Sequence, residues 1–175
     1  MLDTGSSIAP FGGFGLGLRR VHYDDFLDGS DRVPVDFVEV ISENYMIEGG
    51  RQLRILNEVR ERLPVILHGV SMSLGSAEGL DTDYLARLKT LADRIDPLWV
   101  SDHLCWTRTS AHNSHDLLPL PLTSEALQVV CANIDRAQNT LGRAMVFEHP
   151  SSYLTIPEDE MTEWEFLSEM ARRTG

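Results

Sequence analysis

Short runs of branched and aromatic apolar residues alternate along this chain with longer stretches in which apolar positions recur every three or four residues. The runs are "GFGLGLR" (13–19), "VDFVEVIS" (35–42), "PVILHGV" (64–70), "PLWVSDHL" (97–104) and "AMVFEHP" (144–150). In the first, alternating glycines suit a strand closely approached by other backbone. The rest lack the regular alternation of a strand with one wet face, which predicts strands covered on both sides.

The stretches between them predict helices. "GRQLRILNEVRERL" spaces Leu53, Leu56, Val59 and Leu63 along one face, and "LDTDYLARLKTLADRI" does so with Leu85, Leu88, Leu91 and Ile95. Asp81 is placed to cap the second of these. "TSEALQVVCANIDRAQNTLG" opens on capping residues and stops at Gly142, where a left-handed C-cap belongs. A last helix begins near Thr162 and runs almost to Gly175.

Strand then helix, repeated about five times, predicts an α/β fold of parallel strands with right-handed helical crossovers. Either a doubly wound sheet or an eightfold strand-helix barrel fits. Five units suffice for the open sheet, whereas the barrel typically needs about 250 residues. With 175 residues, 42% of them hydrophobic, residues 1–175 are expected to form one domain.

Charge and cysteine usage narrow the partners. A formal net charge of -12 disfavours nucleic acid and anionic membrane. No charged-then-apolar leader and no apolar run of about 18 residues is present, so a cytoplasmic protein is expected. Cys105 and Cys131 form no CxxC pair, which fits a reducing compartment. Cys105 reads either as a reactive thiol or metal ligand, or as a small buried hydrophobe. The glycines of 13–19 do not match the GxGxxG register of a dinucleotide site.

The chemistry collects where the strands end. The second runs out into Ser42, Glu43, Asn44 and Tyr45, the third into His68, the fourth into Ser101, Asp102 and His103, and the fifth into Glu148 and His149. Parallel strands share a direction, so these side chains meet on one rim, where both architectures place their ligand sites. Imidazole nitrogens with a carboxylate and no thiolate suit a borderline divalent cation such as Fe, Mn or Zn. His115, in a long loop after the fourth strand, could reach over this rim. His22 reads as a helix-start residue, and His112 has no supporting context.

These motifs also carry a resemblance. "HYDDFL", "EVISENYM", "LHGVSMSLGS", "WVSDHLCW", "HDLLPLPLT" and "PSSYL" followed by "EMTEWEFL" occur in an order and spacing that resemble the multinuclear non-heme iron-dependent oxidative enzymes, whose members include the methanobactin-biosynthesis oxidase. The resemblance runs from about residue 14 to the C-terminus. It implies a (β/α)8 TIM-barrel type of fold, xylose-isomerase-like, of which only about the first five β/α units are present. It also implies two or three iron ions at the carboxyl-end rim, with dioxygen as co-substrate. The implied reaction modifies cysteine, or another residue, of a ribosomally made precursor peptide, with a separate peptide-recognition protein as partner. Matched position by position, His68, His103 and Glu148 correspond to iron ligands, Glu148 as a bridge. Glu43, Asn44 and Asp102 correspond to positions close to the site, with supporting or substrate-facing roles in catalysis. His149 departs from the family pattern, which has Asn there.

Five barrel units would leave the outer strand edges and the apolar interior uncovered. The expectation is therefore a piece of a longer chain, or self-association through the open side, or a covering partner. The competing functional readings are a non-catalytic remnant or binding module, and a divalent-metal sugar isomerase or phosphodiesterase-like barrel.

Overall fold

A computed structural model describes residues 12–28, 33–109, 113–150, 154 and 156–175, without the side chains of Asn113 and His115. His112, His115 and the "SSY" of residues 151–153 therefore lie outside the description. Five strands, β1 (Gly15–Gly17), β2 (Phe37–Ile41), β3 (Val65–His68), β4 (Val100–His103) and β7 (Met145–Glu148), pair in that order into one parallel sheet. The connections hold α1 (Tyr23–Leu27), α2 (Arg51–Arg60), α3 (Thr82–Ile95) and α4 (Ser124–Leu141), and α5 (Glu163–Thr174) follows β7. Each expected strand-helix unit is present.

The helices start and stop for the reasons their sequences give. Asp81 accepts the Asp83 and Tyr84 amides at 2.8 and 3.2 Å, closing the first turn of α3. Thr123 caps α4 in the same way, and Gly142 ends it in the left-handed conformation with φ 70°. Thr162 and Glu165 form a reciprocal capping box at the start of α5.

The apolar stripes of α2, α3 and α4 bury against one face of the sheet. Leu56, Leu88, Val130 and Ile134 are fully enclosed there with Val38, Leu67 and Val100. Side chains two apart on a strand share a face. The strand register therefore puts Ile41, His68, Ser101 and Val146 in one row on the opposite face, with His103 and Glu148 in the next row toward the rim. That second face is open at the end of β2 and on β7: Ile41 is 45% exposed and Val146 36%. The prediction of strands covered on both sides holds for β3 and β4 but not for the ends of β2 and β7.

Two local expectations are corrected. At Gly15 the close neighbour is an aromatic ring rather than backbone: an added Cβ would lie 2.0 Å from Phe37, whose ring tilts toward Trp99 with centroids 6.0 Å apart. The long loop after β4 contains an antiparallel hairpin, β5 (Trp106–Arg108) with β6 (Asn113–Leu118). Polar contacts help to hold it: the Thr107 amide donates to Ser73 Oγ at 2.9 Å, Ser114 Oγ to the Thr107 carbonyl at 2.8 Å, and Trp106 Nε1 to the Pro119 carbonyl at 3.1 Å. Such bonds leave no apolar periodicity to read. Among the described residues, no helix is long and apolar enough to cross a membrane.

Candidate metal centre

His68 ends β3, His103 ends β4 and Glu148 ends β7, so three strand termini deliver one donor group each to the same corner of the open face. His68 Nε2 lies 3.6 Å from one Glu148 oxygen and His103 Nε2 3.6 Å from the other. The two imidazoles meet edge to face, with centroids 4.7 Å apart. One donor atom from each of the three residues falls within 4.8 Å of the others. Both Nε2 contacts exceed hydrogen-bond length. Their spacing is close to that of two ligands on one cation, roughly 3 to 3.5 Å when each ligand bond is about 2.1 Å.

The surroundings of each ring differ. His68 Nδ1 is 2.9 Å from Ser101 Oγ, a partner that can fix ring orientation while Nε2 stays free to coordinate. His103 is buried and its Nδ1 has no hydrogen-bond partner. An unpartnered buried ring nitrogen is costly, and a bond at Nε2 does not offset that cost. The carboxylate of Glu148 is 61% exposed on the outermost described strand, which leaves room beside it for a further ligand. The donor set and its geometry fit a divalent transition metal.

A second polar group lies on the helix side of the same rim. Asp102 precedes His103 by one residue and so faces the opposite way, toward α3. Its Oδ1 accepts the His103 amide at 2.7 Å, and its Oδ2 accepts the Tyr84 hydroxyl at 3.3 Å. Glu43, in the 3-10 turn after β2 (Ser42–Tyr45), accepts the Val70 amide at 2.9 Å and the Tyr84 hydroxyl at 2.8 Å through one oxygen. Its other oxygen is buried without a partner. Burial, reinforced by the Glu43 charge, pushes the Asp102 carboxyl up to about 7 against the pull of its hydrogen bonds. Burial and the two neighbouring carboxylates push the Tyr84 phenol far above its usual range.

Gly69 owes its identity to this group. A Cβ there would sit 2.2 Å from Asp102 Oδ2 and 2.9 Å from the Tyr84 hydroxyl. The Gly69 amide still bonds the Ser101 carbonyl at 2.7 Å, one residue past the end of β3.

The remaining expected residues fall elsewhere. Asn44 is exposed and lines a cavity of about 320 Å³ with Arg19, Arg20 and Gln52, joined by Ile41, the register neighbour of His68. His149 turns to Glu163 at the start of α5 and takes no part in the three-residue cluster. His22 is the N-cap residue of α1, with Nδ1 3.6 Å from Asp25. Cys105 is fully enclosed, and burial, with Asp102 adding, pushes its thiol up to about 12. Tyr84 is the residue that the sequence did not single out. It sits between the apolar positions of α3, and no motif marks it.

Comparison with known proteins places the chain. The family model described as "RiPP precursor modification enzyme MbnB/TglH/ChrH" matches residues 13–175. A UPF0276 protein of Rhizorhabdus wittichii is 67% identical over 162 residues, which cover 93% of this chain and 58% of the relative. One from Caulobacter vibrioides is 63% identical over 169 residues, covering 97% and 60%. One from an Anaeromyxobacter species is 51% identical over 161 residues, covering 92% and 56%. The chain thus spans about three fifths of the length of these curated relatives. A match this extensive to the family model, supported by such similar relatives, means that the chain belongs to the MbnB/TglH/ChrH family of RiPP precursor modification enzymes.

Proposed function

We propose that this chain supplies the first five strand-helix units of a (β/α)8 barrel, xylose-isomerase-like, whose rim holds a multinuclear iron centre. The whole protein would use dioxygen to oxidise cysteine, or another residue, of a ribosomally made precursor peptide in the cytoplasm, beside a separate peptide-recognition protein. The observation that carries this reading is the convergence of His68, His103 and Glu148 from three successive strand ends.

In this reading the two Nε2 atoms and the Glu148 carboxylate hold metal, and Glu148, exposed at the edge, is the group able to bridge to a second ion. Bound iron would acidify a substrate thiol and supply electrons to dioxygen. The chain's own residues orient and shield. Ser101 sets the His68 ring, the open row of Ile41 and Val146 offers an apolar floor, and Glu43 and Asp102 hold the rim backbone from behind. Asn44 lines the neighbouring cavity, which in this reading would receive a substrate group.

Elemental analysis of protein purified without oxygen tests the reading. Iron in the wild type and its loss in His68→Ala, His103→Ala and Glu148→Ala are expected. Wild-type protein without iron, or variants that keep as much, would remove the assignment. Zinc or manganese retained with no dioxygen consumption would favour a divalent-metal isomerase-type barrel instead.

A further inference from the structure

We propose that Tyr84 is a positioning residue of the metal centre: its hydroxyl, clasped between the Glu43 and Asp102 carboxylates, locks the backbone after His68 to the backbone of His103. The inference rests on the metal reading of His68, His103 and Glu148 given above.

Three separate elements meet at this hydroxyl. Tyr84 is the third residue of α3, Glu43 comes from the turn after β2, and Asp102 is in β4. Tyr84 reaches Glu43 Oε1 at 2.8 Å, and that same oxygen holds the amide of Val70, two residues beyond His68. Tyr84 also reaches Asp102 Oδ2 at 3.3 Å, and Asp102 Oδ1 holds the amide of His103 itself at 2.7 Å. Each carboxylate therefore has one oxygen on the phenol and a grip on the chain at a ligand or close beyond one. The path from Val70 to His103 runs through Glu43, Tyr84 and Asp102 without passing through the metal site.

The packing leaves this arrangement little slack. The Asp102 carboxylate and the Tyr84 hydroxyl fill the space that a side chain at Gly69 would need. A phenol has one proton to donate and here faces two carboxylates. Losing the hydroxyl would take away the donor that these two acidic oxygens share, and the low local dielectric makes that loss costly. The carboxylates would move apart, and the Val70 and His103 amides would move with them.

Cobalt(II), a probe suited to nitrogen and oxygen donors, reads the consequence in the 175-residue chain. Tyr84→Phe keeps the ring and removes the hydroxyl. Expected are about tenfold weaker cobalt binding, within the range for groups that orient ligands, and a changed visible spectrum of the bound ion. Glu43→Gln added to Tyr84→Phe should cost much less than the sum of the two single changes, because both break one chain of contacts. Leu88→Ala, on the same helix but outside the chain of contacts, is the control: it lowers stability more than Tyr84→Phe yet should leave cobalt affinity and spectrum unchanged.

Tyr84→Phe with wild-type affinity and spectrum overturns the proposal. So does Leu88→Ala weakening cobalt as much as Tyr84→Phe, since the effect would then be general loosening of α3. Wild-type chain that takes up no cobalt overturns the metal centre itself and this inference with it, so the two failures are distinguishable.

Discussion

Asp102 and His103 are neighbours on one strand, yet they live on opposite sides of the sheet under opposite rules. Asp102 is fully enclosed against α3, with hydrogen bonds from its neighbours and a carboxyl raised by burial. His103 looks onto the open face, where its Nε2 and that of His68 stand beside an exposed Glu148. The helix side is packed, and its polar group at Glu43, Tyr84 and Asp102 is tied by hydrogen bonds to the rim backbone. The open side keeps donors that the protein does not satisfy. The difference teaches that the strand's two-residue alternation separates bracing from presenting: one side fixes the rim, and the other exposes its donor groups.

The largest test of that contrast compares apolar truncations on the two faces. Leu88→Ala, in the helix-side core, should cost about 2 to 5 kcal/mol in denaturant unfolding. Val146→Ala, on the open face, should cost less than about 1 kcal/mol, because little transfer from water is lost there. Equal costs would mean that the second face is covered in solution. Next comes Gly69→Ala, whose Cβ must displace the Asp102 carboxylate or Tyr84. A loss of about 1 to 3 kcal/mol is expected from overpacking. An unchanged melting temperature would show that the network has slack.

A smaller effect is expected at the edge of the braced side. Asp81→Ala removes the cap of α3 and its 2.8 Å ion pair with Arg108, and should cost about 1 kcal/mol. Smallest is Glu148→Ala, which in metal-free protein should shift stability by less than about 0.5 kcal/mol, in line with its exposure. A large loss there would assign Glu148 a structural duty and blur the division between the faces.

Most of the scaffold was legible because its signals are local. Caps at Asp81, Thr123, Thr162 and Gly142 work within one turn, and the leucines of α2 and α3 repeat at helical spacing. The convergence of His68, His103 and Glu148 was legible because parallel strands bring their ends together whatever the details of packing. What escaped was non-local. The 106–118 hairpin depends on bonds from Ser73 and Pro119, and Tyr84 acquires its part from partners 41 and 18 residues away. Gly69 was visible as a glycine, but its reason was not, since it lies in a carboxylate from the adjacent strand. The separation of Asp102 from His103 could have been read from alternation alone.

Cys105 follows His103 by two residues and lies at zero exposure, its thiol held in the protonated form by burial. The cysteine nearest the three donor groups in sequence is thereby withheld as a nucleophile and as a competing ligand.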